Sequence, residues 1–166
     1  MKRLGTTCAL VAVLSMASPY TVGASSPSVG PRLVVGQFSV RLNSWKCGIT
    51  SIGTQNNGGV MKPTKSFCLA SLTATNISNI PAEFDGAGTA TDNLSRSFIS
   101  DDADLGYANE NEPLSYNFYN PTINPTFSIR GNIVFDVPKN DHFRSLTVQE
   151  LNAKTGDLNS IRFFLH

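Results

Sequence analysis

Acid–base catalysis most often runs through histidine, and this chain offers two, His142 and His166. His142 follows Asn140-Asp141 in a turn, and His166 is the last residue of the sequence, so both read as solvated side chains. No G-x-S-x-G elbow, H-E-x-x-H pair or phosphate-cradling glycine loop is present. Of three cysteines, Cys8 falls in an apolar leader, which leaves Cys47 and Cys68. In an exported chain two cysteines most simply pair as a disulfide. Closing that loop would stabilise the fold by about 3 kcal/mol in the chain-entropy model. The alternatives are a free thiol or a metal pair, and two cysteines without a nearby histidine make a poor zinc site. A disulfide would also remove the thiol nucleophiles, because attack requires a free thiolate.

Oxygen ligands are more plentiful. Asp101, Asp102, Asp104, Glu110 and Glu112 form an acidic run, and hard oxygens on a turn suit Ca²⁺. Asp102-x-Asp104-x-Gly106 faintly echoes a calcium loop, but Pro113 stands where a bidentate Glu is required. Asp101, Asp102 and Asp104 are therefore a weak metal candidate, no cofactor is expected, and a charged hairpin tip is the plainer reading. The segment Tyr116-Asn117-Phe118-Tyr119-Asn120 combines aromatic faces with amides. Tyr116, Phe118 and Tyr119 are candidates for contacting a protein or glycan, with ordinary strand packing as the alternative. Asn76-Ile77-Ser78 and Asn93-Leu94-Ser95 match the glycosylation sequon and are read as chance matches.

These residues would be carried by a chain whose start reads as a signal peptide. Lys2 and Arg3 form a basic head, Cys8 to Ala17 an apolar run, and Val22-Gly23-Ala24 a small-residue cleavage site. The run is shorter than the about 20 residues a spanning helix needs, and Cys8 opens it, whereas a lipidated cysteine would follow it. Residues 1–24 are assigned to the signal peptide, 25–32 to a flexible Ser/Pro/Gly leader, and 33–166 to one domain. Loss of Lys2 and Arg3 takes 13 basic residues to 11 against 12 acidic ones, a formal net charge of −1. No basic stripe is evident along the sequence, which argues against nucleic acid as a partner. No membrane span is expected in the mature chain.

The period of the apolar residues in this domain is two. Phe38, Val40 and Leu42 share one strand face, and then the apolar positions switch to Trp45, Cys47 and Ile49. A one-residue bulge near Asn43-Ser44 would restore a continuous inward face, and a turn there is the alternative. Gln55 to Pro63 has loop composition. Cys68, Ala70, Leu72 and Ala74 share a face of the next strand, and if both cysteines point inward a disulfide would tie two strands through the core. Asn76 to Pro81 turns the chain, Phe84 anchors a short strand, Phe98 and Ile99 precede the acidic turn, and Tyr107 begins a return strand. Asn120-Pro121 and Asn124-Pro125 frame a rigid connection. Gly131, Ile133, Phe135 and Val137 form one face of a half-buried strand that Pro138 ends. Leu146-Val148 and Ile161-Phe163-Leu165 supply two more alternating runs. No helix is expected. The fold class is all-β, an immunoglobulin-like two-sheet antiparallel sandwich, with Phe38, Val40, Leu42, Trp45, Leu72, Ile133, Phe135 and Phe163 on its inner faces.

Three segments carry a resemblance: F-C-L-A-S-L-T-A-T-N (Phe67 to Asn76), I-S-D-D-A-D-L-G-Y (Ile99 to Tyr107) and G-N-I-V-F-D-V-P (Gly131 to Pro138). In this order they resemble the bacterial telokin-like, immunoglobulin-fold domain of unknown function, found in exported and membrane-anchored proteins of Gram-positive bacteria. The similarity covers about residues 33–166. It implies an extracellular sandwich without established catalytic residues. The stretch from Ser115 to Phe127 departs from the family pattern by its length.

The expected function is a secreted, non-enzymatic binding or surface-interaction module. The alternatives are a cell-envelope hydrolase using acidic loop residues, or a purely structural envelope protein.

Overall fold

A computed structural model describes residues 30–54, 59–84, 86–100, 121–151 and 156–165. In chain order the strands are β1 (Arg32–Val35), β2 (Phe38–Ile49), β3 (Ile52–Thr54), β4 (Gly59–Met61), β5 (Ser66–Asn76) and β6 (Ala82–Glu83), then β7 (Gly88–Asp92), β8 (Ser97–Ile99), β9 (Thr122–Ile123), β10 (Ser128–Val137), β11 (Phe143–Leu151) and β12 (Leu158–Phe164). No helix occurs among the described residues. Two four-stranded antiparallel sheets dominate, with orders β1-β2-β5-β10 (sheet I) and β12-β11-β7-β8 (sheet II). Two short ribbons, β3-β4 and β6-β9, complete the set.

Alternation in the sequence becomes burial in the structure. Phe38, Val40 and Leu42 of β2 and Cys68, Ala70, Leu72 and Ala74 of β5 are buried with Ile133, Phe135 and Val137 of β10. Ala90, Leu146, Val148 and Phe163 of sheet II complete the same core cluster. Each large apolar side chain there contributes roughly 1.5–3 kcal/mol. Gly88 matters to the fit. A Cβ added to it would stand 3.3 Å from Phe135 Cζ and 3.4 Å from the Thr147 carbonyl, so a glycine lets the Phe135 ring reach sheet II.

The face switch in β2 is a bulge. Leu42 pairs with Leu72 and Ser44 with Ser71, which leaves Asn43 as the extra residue. Trp45 then sits opposite Ala70 and packs, half-buried, against the core. A two-for-one insertion must invert the parity of every later residue, which is why even-numbered apolar positions give way to odd ones. Asn43 has its own anchor: its Nδ2 donates to Thr73 Oγ1 at 3.0 Å.

Several elements differ from expectation. Strand β4 (Gly59–Met61) pairs with β3 (Ile52–Thr54) and falls within the Gln55 to Pro63 stretch where composition predicted a loop. Ile52 and Met61 of that hairpin pack with Phe67 and Val134 on the outer side of sheet I. Val134 is thus fully buried, and β10 beyond Arg130 is covered on both faces where a half-buried strand was expected, while Ser128 and Arg130 stay exposed. Strand β7 was not anticipated, because Gly88-Thr89-Ala90-Thr91 carries little apolar signal. The proline-framed connection contains β9, which pairs with β6. Arg32, placed in the leader by composition, opens β1 and pairs with Arg41.

The disulfide joins Cys47 to Cys68, with Cα atoms 4.0 Å apart. It links neighbouring strands β2 and β5 of one sheet, at a second register shift between Lys46 and Ile49. Gly48, with φ +82°, accommodates that bulge. Cys68 is buried, whereas Cys47 is exposed at the rim. The bridge therefore staples strands within sheet I and does not cross the core between the sheets.

Candidate functional site

Strands β1 and β12 are the adjoining edges of the two sheets, and a cleft of about 670 Å³ opens where they part. Its walls are Leu33 of β1, Leu42 and Trp45 of β2, and Phe163 and Leu165 at the end of the chain, with Arg162 beside them. That volume lies within the range of small-molecule sites, which are mostly apolar with a few polar groups. Trp45 is positioned by aromatic neighbours, its ring 5.6 Å from Phe135 and 5.4 Å from Phe143. Phe143 in turn meets Phe98 edge-on at 5.5 Å. The bulge at Asn43 turns Trp45 toward the cleft; without it the indole would face the other side of the sheet. Arg162 is exposed, and its Nε donates to Thr147 Oγ1 at 3.4 Å, which places its guanidinium on the outer face of sheet II, on the opposite side of β12 from Phe163.

Asp101, Asp102, Asp104, Tyr116, Phe118, Tyr119 and His166 fall outside the described residues, as do the signal peptide and the Tyr107 strand. Cys47 and Cys68 are brought together as the disulfide. His142 is exposed, and its carbonyl accepts the Asn93 amide at 2.9 Å. Among the described residues no cluster of three or more His, Cys, Asp or Glu side chains is arranged to hold a metal ion. No described helix is long and apolar enough to cross a membrane. Composition did not reveal the cleft, because Leu33 and Phe163 are brought together only by the stacking of two edge strands.

Three polar sites are structural in character. Asn76 is fully buried at the end of β5. Its Nδ2 donates to the Ile80 and Ile123 carbonyls at 2.8 and 2.7 Å, and its Oδ1 accepts from Ser78 N and Oγ at 2.8 Å. An amide so engaged has no room for a glycan, so the first sequon is a structural corner. Asp92 accepts from Leu94 N, Arg96 N and Arg96 Nε, and Arg96 Nη2 donates to both carboxylate oxygens of Asp141. Burial pushes the Asp92 carboxyl up, but the Arg96 and Leu94 hydrogen bonds and the Arg96 charge outweigh it and hold it below its ordinary value. Glu150, 3% exposed, is pushed up by burial, partly offset by hydrogen bonds from Asn159 and the Gln37 backbone.

Two antiparallel four-stranded sheets on a shared apolar core define the chain as a β-sandwich protein. It belongs to the family described as "Domain of unknown function (DUF4352)", whose match spans residues 28–158. The fold is similar to that of the yjhA protein from Bacillus subtilis, with TM-score 0.58 and 15% identity, covering 83% of this chain and 98% of that one. A conserved hypothetical protein from Bacillus anthracis is similar at TM-score 0.57 and 15% identity, covering 81% of this chain and 94% of that one. A functionally unknown protein from Listeria monocytogenes follows at TM-score 0.55 and 12% identity, covering 84% and 83%. At such identities the likeness concerns the fold alone. No curated protein matches the chain.

Proposed function

We propose that this chain is an exported binding module of telokin-like, immunoglobulin-like type, without reaction chemistry of its own, that holds an apolar ligand in the cleft between β1 and β12. The carrying observation is the cleft itself, about 670 Å³ walled by the apolar side chains of Leu33, Leu42, Trp45 and Phe163. Apolar walls favour a hydrocarbon body. Secretion rests on the signal-peptide reading of residues 1–24 and the cysteine pair. The absence of reaction chemistry rests on the engaged cysteines and the solvated His142.

Trp45 is the sole tryptophan of the sequence, so its fluorescence reports the cleft directly. Titration with decanol below its solubility limit should shift or quench the emission saturably, and Leu33→Ser should weaken binding about tenfold. Unchanged emission across the titration, or equal binding by Leu33→Ser and the parent, would refute the reading.

A further inference from the structure

The register of sheet I assembles a row that the sequence disperses. Arg32 pairs with Arg41, Arg41 with Thr73, and Thr73 with Arg130. One line across all four strands therefore reads Arg, Arg, Thr, Arg. Neighbours on both sides of these residues, Val40, Leu42, Leu72, Ala74, Ile129 and Gly131, are buried, so the row faces outward, away from the sandwich core. Strands lie about 4.8 Å apart, which spreads the three guanidinium stems over roughly 14 Å. No carboxylate forms an ion pair with Arg32, Arg41 or Arg130 among the described residues. Asp136 is the one acidic residue among the outward positions of the four strands. It lies at the far end of β10, where it accepts from the Thr64 and Lys65 amides.

The row is also braced. Arg41 Nε donates to Asn43 Oδ1 at 3.2 Å, and Asn43 is itself bonded to Thr73. Arg130 Nε donates to Ser71 Oγ at 3.4 Å. Both bonds use Nε and not a terminal nitrogen, and a guanidinium suits a bidentate contact with an oxyanion. The next row reads Val34, Ser39, Thr75, Ser128 and is hydroxylic in three of its four members: Val34 pairs with Ser39, Ser39 with Thr75, and Thr75 with Ser128, the last two hydroxyls being 2.7 Å apart.

We infer that this outer face of sheet I binds a linear acidic polysaccharide lying across the strands, its sulfate or carboxylate groups on Arg32, Arg41 and Arg130 and its hydroxyls toward Ser39, Thr75 and Ser128. Flat, braced cations beside hydroxyl donors and acceptors match a chain that alternates oxyanions with hydroxyl groups. Single-stranded nucleic acid needs aromatic platforms for its bases, and neither row contains an aromatic residue. The site is separate from the β1-β12 cleft and does not depend on it.

Isothermal titration of the folded protein with heparin hexasaccharide tests the assignment, with polygalacturonate oligomers as the carboxylate counterpart. Binding at 50 mM salt should weaken about tenfold by 200 mM as counterion release is lost. Arg41→Gln should lower affinity about fivefold with an unchanged thermal melt, while Arg144→Gln, an exposed arginine of sheet II, should leave it unchanged. Trp45 emission should not respond to the saccharide, which separates this site from the cleft. The assignment is overturned by no heat at 50 mM salt, by equal losses in the two variants, or by tighter binding of single-stranded DNA of equal charge.

Discussion

The Glu150 carboxylate stands over Gly36, the first residue of the β1-β2 turn, so closely that a Cβ built on Gly36 would collide with Oε2 and lie 2.9 Å from Oε1. Burial there raises the Glu150 pKa above 4.5. The native state then holds this proton more tightly than the unfolded chain does, so stability falls as pH rises from about 4.5 through the raised value. Glu150→Gln keeps an acceptor for Asn159 and removes the charge. The variant should match the parent in urea denaturation at pH 4 and exceed it at pH 7. A gap between the two proteins that does not change with pH would contradict this account.

Gly36 is required on two grounds. Its φ of +52° disfavours any side chain, at a cost of about 1–2 kcal/mol, and the carboxylate occupies the space a methyl group would take. Gly36→Ala should therefore cost more than 2 kcal/mol in the parent. In a Glu150→Ala background the collision disappears, and the cost should fall to about 1–2 kcal/mol. Denaturant unfolding of the four proteins closes this cycle, and strict additivity would argue against the contact.

Asp92 has the opposite sign. Its folded pKa lies below 3.8, so its contribution is present above that value and is lost as pH falls through the folded pKa. Asp92→Asn should melt at a lower temperature than the parent at pH 6, and the difference should shrink below pH 3. Scanning calorimetry of both proteins at the two pH values checks it. A difference that persists in acid would mean that packing, and not the Arg96 pair, is what the substitution removes.

Asn76 joins three segments through one side chain, tying the end of β5 to the turn at Ser78–Ile80 and to Ile123 of β9. Asn76→Ala would leave two carbonyls and an amide without this partner in a buried setting, each costing about 1–3 kcal/mol unless water enters. A loss of about 2–4 kcal/mol is expected in urea unfolding. Asn76→Asp should be nearly as harmful, because the carboxylate cannot donate to Ile80 and Ile123.

Much of the framework was legible in the sequence, and the reasons are local. Period-two alternation in Phe38–Leu42 and Gly131–Val137 marks an inward face, and the parity switch at Asn43 marks a bulge. Pro138 marks the end of β10, since it has no amide for the ladder. Other features depend on partners far along the chain. The β3-β4 hairpin covers Val134 only once β5 and β10 have paired, so nothing near Gln55 announces a strand. Strand β7 is built from Gly, Thr and Ala because Phe135 needs the space above Gly88, a requirement invisible at residue 88. The cleft and the arginine row are both products of register. Leu33 lies opposite Val40, and Arg32 opposite Arg41, so one pairing sets the apolar wall and the charged face together. The sequence shows no basic stripe because its members lie on three different strands.

The disulfide should matter chiefly through the unfolded chain. Cys47 and Cys68 are 21 residues apart, and in the loop-entropy model opening such a loop costs about 3 kcal/mol. The two strands it joins are already paired through the ladder from Phe38 to Ile49, so the native sheet has little to lose when the link is cut. Cys68 is fully buried and Cys47 exposed, hence Cys47→Ala leaves only a small apolar thiol in the core. Reduced protein and Cys47→Ala should both remain folded, with unchanged far-ultraviolet dichroism. Each should unfold at a urea midpoint about 1–3 M lower than the oxidised parent, given a slope of about 1–3 kcal/mol per molar. A bridge carrying the core itself would instead give collapse of near-ultraviolet dichroism on reduction, which would overturn the placement of this staple within a single sheet.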